Sequence, residues 1–316
     1  MTGTKKFVGS YSKIILCIVL IVILFIVGNI MTGGKFATPL DTLKFAFFTA
    51  MFGLGQLLII SCGGYIDLSV GYTATLVTCL TCEIINGQDG NLWQAILIAV
   101  AVGVIVGFIN GFFSVYAKLP SLVVTMATQQ IIQGIVDFYS SKNTLGGTPS
   151  PMLQQAIAKN TQGIPNNLFI LIIVAAVVLL LFYKTKIGYK LTACGSNPVT
   201  AHLSGIRVNR VRMLAFIACS IIAALMGIVL FGNMGAAFKD MGSSYVMPSI
   251  AAVVIGGVSI NGGEKNYIGV ILGAVILQGL ANLFVALGLG DAGKYLGSGI
   301  ILLAMLIVYV REKSSR

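Results

Sequence analysis

Asp67 stands in the run CGGYIDLSVGYTATL, residues 62–76, inside a long apolar tract and just after two glycines. A carboxylate near the middle of a membrane helix costs roughly 2.5–3.5 kcal/mol on insertion scales, so it requires water, a partner or a task. Ser69 follows two residues later, and both side chains suit the cap of a helix restarting at Val70. Capping a helix and lining a solute path are compatible readings of Asp67. The other acidic residues fall mostly at expected helix ends or in loops, so no carboxylate relay for protons is visible.

Neutral amides come next. Gln129, Gln130 and Gln133 lie within one helical turn, and Asn110 interrupts another apolar run. Such amides offer hydrogen bonds to hydroxylated solutes, and they also hold helices together. Asp67, Ser69, Asn110, Gln129, Gln130 and Gln133 are therefore the candidate pathway residues. Cys79 and Cys82 form a C-x-x-C on an apolar stretch with no second pair and no nearby histidine, which reads as helix packing rather than metal or redox chemistry. The single His202 cannot form a metal site alone. GLGDAGKY, residues 288–295, resembles a phosphate loop but lacks the Ser or Thr that holds magnesium. With no nucleophile–base set either, no catalytic residue, metal or cofactor is expected, and the chain does not read as an enzyme.

The elements that must position these groups belong in lipid. Of 316 residues, 57% are apolar and 9% charged, with a mean hydropathy of +0.97; soluble domains carry about 25% charged residues. The expectation is an all-α polytopic membrane protein, one membrane domain over residues 1–316. About ten spans are predicted, some broken: 11–31, 42–61, 69–86, 92–116, 121–139, 167–183, 211–231, 249–260, 267–288 and 295–310. The first is long enough to span as a retained helix rather than serve as a cleaved signal. The eighth is too short to cross alone.

Charge placement orients these spans. A net charge of +11 would suggest nucleic acid in a soluble protein, but here it follows the positive-inside rule, with the bilayer as the partner. With the N-terminus inside and ten spans, Lys5, Lys6, Lys13, Lys118, Lys265 and every arginine fall inside. Both termini are then cytoplasmic. The largest inside segment is 184–212, where NPVTAHLSG predicts a short surface helix. Ser196 or Asn197 would cap it, Pro198 fits its first turn and Gly205 its end. Contact with anionic headgroups and docking of a cytoplasmic partner both fit this basic helix. A second glycine-marked interruption, GGVSINGGEKNYIG at 256–269, mirrors the first, a pattern that points to a translocation pathway. Gly103, Gly107 and Gly111, with Gly269 and Gly273, mark close helix contacts within one subunit or between two.

Three motifs carry a family resemblance. GGYIDLSVG resembles a motif of permease subunits of ribose-type ABC sugar importers. KIGYKLTACGSNPVTAHLSGIRVNRV resembles that family's cytoplasmic segment. SIAAVVIGGVSINGG, continued by NYIGVILGAVILQGLAN, resembles its alanine–valine–glycine signature. The likeness covers nearly the whole chain in order and extends more weakly to branched-chain amino-acid permeases. It implies a ten-helix permease in a bacterial plasma membrane (the inner membrane in a Gram-negative cell). Two such subunits would work with ABC ATPase subunits and an extracellular or periplasmic solute-binding protein. It also implies that the helix around Asn197, Pro198, His202, Leu203, Ser204 and Gly205 docks into the ATPase. The chain departs from the family at Tyr245–Ser249, at Gln133 and at GGEKN. Those departures leave the sugar open and admit either a second copy or an unlike permease as partner. The competing reading is an autonomous ion-coupled transporter or facilitator with Asp67 as its ion site.

Overall fold

A computed structural model describes residues 3–290 and Gly299. The tenth expected span, 295–310, and most of GLGDAGKY lie outside the described residues. The remainder is helical apart from one small hairpin, with the helices α1 (Gly3–Met31), α2 (Pro39–Ser61), α3 (Val70–Ile85), α4 (Leu92–Gly111) and α5 (Ser121–Lys142) first. A short helix α6 (Pro151–Ile157) and the antiparallel strands β1 (Asn160–Thr161) and β2 (Ile164–Pro165) follow. Then come α7 (Asn167–Lys184), α8 (Lys186–Ser196), α9 (Pro198–Leu203), α10 (Val208–Met234), α11 (Val246–Ile255) and α12 (Tyr267–Ala286).

Helix α2 begins where Thr38 accepts a hydrogen bond from the Asp41 N–H, with Pro39 at the first helical position. It is buried over most of its length and packs on α7, α10, α11 and α12. Helix α10 is the second central element, carrying α3 and α4 on its flank. Outside them, α1 lies on α12 and α5 lies on α3. The exposed sides of α1, α4, α5 and α7 are lined with Ile, Leu, Val and Phe, the surface of a chain whose solvent is lipid. Gly103, Gly107 and Gly111 of α4 lie against Ile221, Ile217 and Met213 of α10, and Gly269 and Gly273 of α12 lie against Gly256 and Ala252. All five glycine contacts are thus within this chain.

The loops sort to two ends as the expected alternation of spans requires. At one end Gly87 N–H donates to the Thr148 carbonyl at 2.7 Å, Ala237 N–H to Gly146 at 2.7 Å, and Lys44 Nζ to Ala158 at 3.2 Å. At the other end residues 62–67, 184–207 and 256–266 converge.

Three differences from the expected spans matter. The eighth span is α11 at 246–255 rather than 249–260. At 1.5 Å per residue its ten residues reach about 15 Å, half a bilayer core. The other half is made by residues 235–245, which return from the end of α10 into the interior. There Gly242 N–H donates to Thr75 Oγ1 at 3.0 Å, and Tyr245 stacks on Phe52. Finally, the basic segment contains a second helix, α8, before the anticipated one.

Candidate functional site

Asp67 is fully buried, with one partner close to it in sequence and others on neighbouring helices. The N–H and the hydroxyl of Ser69 donate to its Oδ1 at 2.8 and 2.6 Å. Asn110 Nδ2 donates to Asp67 Oδ2 at 3.2 Å and to Ser69 Oγ at 2.9 Å, while Thr128 donates to Asn110 Oδ1 at 2.7 Å. The Gln56 side chain brackets the Asp67 peptide, accepting from its N–H at 3.2 Å and donating to its carbonyl. Thr125 Oγ1 accepts from Leu68 N–H at 3.1 Å. Side chains of α2, α4 and α5 thus pin the break between α2 and α3. Ser69 occupies the cap position of α3, but its hydroxyl serves Asp67 and makes no capping bond to the helix; Asp67 itself holds the turn.

The expected pathway residues therefore divide. Asp67, Ser69 and Asn110 form one buried network, joined by Gln56, Thr125 and Thr128, which sequence reasoning missed. A polar residue at each of these positions inside an apolar run was the available signal. Among the described residues, no glutamine of α5 joins that network. Gln130 and Gln133 instead share spacing i, i+3, i+7 with Asp137, with Gln129 beside them. Asp137 pairs with Lys239 of the re-entrant segment at 3.1 Å. That ion pair ties the Asp137 end of the α5 stripe to residues 235–245.

The second cluster is the junction of the converging loops. The Gly263 N–H donates to the Ser61 carbonyl at 2.9 Å, tying one break to the other. Gly64 sits at φ +71°, and a Cβ there would strike the Ile260 carbonyl; only glycine suits both demands. Gly195, in the last turn of α8, is pressed against Ser61 and Gly263 so closely that a Cβ would collide with both. Arg212 spans the same junction. Its guanidinium donates to the carbonyls of Cys62 at 3.3 Å and Cys194 at 3.5 Å and lies 5.3 Å over the Tyr65 ring. Burial pushes the Cys194 thiol above its usual range, with the Arg212 guanidinium opposing the shift. On the far side, Lys13 of α1 donates to Gly257 O at 2.6 Å and pairs with Glu264 at 3.0 Å.

From this junction α9 projects. Asn197 Oδ1 accepts from Val199 and Thr200 N–H, both at 3.0 Å, Pro198 fills the first turn, and Gly205 follows the helix at φ +80°. Asn197, rather than Ser196, is the cap. Leu203 is 81% exposed, while His202, Ser204 and Gly205 are also at the surface.

Residues 38–310 match the family described as branched-chain amino acid transport system / permease component. The chain belongs to that family. Among this permease's curated relatives, the ribose import permease protein RbsC of Bacillus subtilis is 29% identical, the match covering 99% of this chain and 95% of the relative. The xylose/arabinose import permease protein XylH of Sulfolobus acidocaldarius is 31% identical over 83% and 74% of the two chains. The L-arabinose transport system permease protein AraH of Escherichia coli is 30% identical over 84% and 83%. No solved structure matches the permease.

Proposed function

We propose that this permease is the membrane subunit of an ABC importer that carries a sugar or a similar hydroxylated solute into the cell. The observation that carries this reading is the junction of Gly195 with Ser61 and Gly263. It roots α8, the helix that leads through Asn197 into the exposed, capped α9, in both helix breaks. A push on α9 is then transmitted to the irregular backbone inside the bundle, the place where membrane transporters open and close. ATP hydrolysis belongs to separate ABC subunits seated on Asn197–Gly205, and an extracellular or periplasmic solute-binding protein delivers the solute at the opposite end. The chain acts as one membrane unit with both termini in the cytoplasm, beside a second copy or an unlike permease.

The solute passes between the α5 stripe of Gln129, Gln130, Gln133 and Asp137 and the re-entrant residues 235–245. Neutral amides there exchange hydrogen bonds with hydroxyl groups without requiring a counter-charge. The Asp67–Ser69–Asn110 network holds the break that borders this path. Reconstitution tests the reading. Uptake into proteoliposomes should need ATP, the ATPase and a binding protein together; uptake by this chain alone would refute it.

A further inference from the structure

Behind α9 lies a cleft of about 540 Å³ lined by Tyr116, His202, Arg207, Arg210 and Arg212, with no carboxylate in its wall. Among the described residues neither Arg207 nor Arg210 has an ion-pair partner. Two observations fix the depth of this cleft. Exposed Phe108, Phe112 and Tyr116 run down the outside of α4 and its π-helical extension, each ring stacked 6.1 Å from the next. The row ends at Tyr116, in the cleft itself. Arg210 also shares a face of α10 with Leu214, at spacing i and i+4, and Leu214 is 63% exposed, while Arg207 stands at the cap position of the same helix. The surface therefore changes from aromatic and apolar to basic at this level, which is how a chain marks the boundary of hydrocarbon and headgroup.

We propose that this cleft binds the phosphate of an anionic phospholipid, held by the guanidinium forks of Arg207 and Arg210, with the acyl chains lying along Leu214 and the aromatic row. Guanidinium groups suit a phosphate by geometry as well as charge, and basic pockets between membrane helices favour such headgroups. No side chain caps the first turn of α10, which opens into the same cleft, so the positive end of its dipole adds to the field. Because Pro198, Val199 and His202 of α9 form the opposite wall, a bound lipid would brace the surface helix on its membrane side. Leu203 remains free to face a soluble partner.

The test is lipid retention by the intact transporter complex, measured by native mass spectrometry from phosphatidylcholine micelles supplemented with phosphatidylglycerol. Wild type should keep phosphatidylglycerol in preference to phosphatidylcholine. Each basic residue near an anionic surface is worth about fivefold, so Arg207→Gln with Arg210→Gln should weaken retention about thirtyfold. Arg207→Lys with Arg210→Lys, which keeps the charge and loses the forks, should fall between the two. Wild type alone offers an independent check should the double variant fold poorly: phosphatidylglycerol should raise its Tm and inorganic phosphate should not. Equal retention by wild type and the glutamine variant overturns the proposal, as does an unchanged Tm. Displacement of the lipid by inorganic phosphate would identify free phosphate as the ligand and overturn the lipid assignment.

Discussion

The Gly263 N–H meets the Ser61 carbonyl at 2.9 Å, so two breaks that lie about two hundred residues apart in sequence share one hydrogen bond. Gly195 closes over that bond with no room for a side chain. A helix outside the bundle and two interruptions inside it are thereby a single mechanical unit.

Gly195→Val tests that unit. The new side chain must displace backbone on both breaks, which costs about 1–3 kcal/mol, typical of overpacking. Uptake should fall more steeply than stability, with ATP hydrolysis by the assembled complex no longer stimulated by the loaded binding protein. Paired uptake, ATPase and Tm measurements separate the effects; equal uptake by wild type and variant would show that the junction transmits nothing.

Asn110→Leu removes the donor to Asp67 Oδ2 and the acceptor for the Thr128 hydroxyl. A buried group left without a partner costs about 1–3 kcal/mol. A fall in Tm of the detergent-solubilised complex is expected, together with unchanged dependence of uptake on ATP. If Asp67 were an ion-coupling site, the variant would instead alter the dependence of uptake on pH or sodium.

Gln133→Leu bears on the path. Gln133 has no side-chain partner in the buried network, so the stability should stay within about 0.5 kcal/mol of wild type, as for changes away from buried features. Losing one hydrogen bond to a neutral solute should raise the KM for uptake about fivefold. Unchanged KM across the solutes carried by the complex would remove Gln133 from the path.

Lys13→Met breaks the contact of α1 with the second break. Its partner Glu264 and Lys13 itself are both about two-fifths exposed, so solvent screening keeps the pair below about 1 kcal/mol. A small, salt-dependent loss of Tm is expected, with partial recovery when the charges are exchanged in a Lys13→Glu, Glu264→Lys variant. A loss independent of salt would assign the effect to the bond with the Gly257 carbonyl instead.

Much of this arrangement is legible in the sequence because its signals are local. Gly63 and Gly64 stop an apolar run and Val70 resumes it, so the first break can be placed to the residue. Asn197, Pro198 and Gly205 punctuate α9 in the same way. Helix α8 is hidden by its own composition, eleven residues with a glycine at each end and a threonine cap. Residues 235–245 carry no periodic signal, since their backbone is held by short turns and by bonds to Thr75 and Gly146, far away in the chain. Asp67 and the glutamines stand out in the sequence as pathway candidates, but where each sits relative to the others does not. Sequence shows that each is polar in an apolar helix, but only packing decides that Asp67 turns inward to Asn110 while Gln133 aligns with Asp137.

The most direct measurement concerns Leu203, at the tip of α9. The described cysteines are all buried, so Leu203→Cys supplies one accessible thiol for a membrane-impermeant maleimide. Intact cells should leave it unlabelled, inside-out vesicles stripped of ATPase should label it, and adding the ATPase back should protect it. Labelling from outside intact cells would place this helix on the wrong face of the membrane and contradict coupling to a nucleotide-hydrolysing partner.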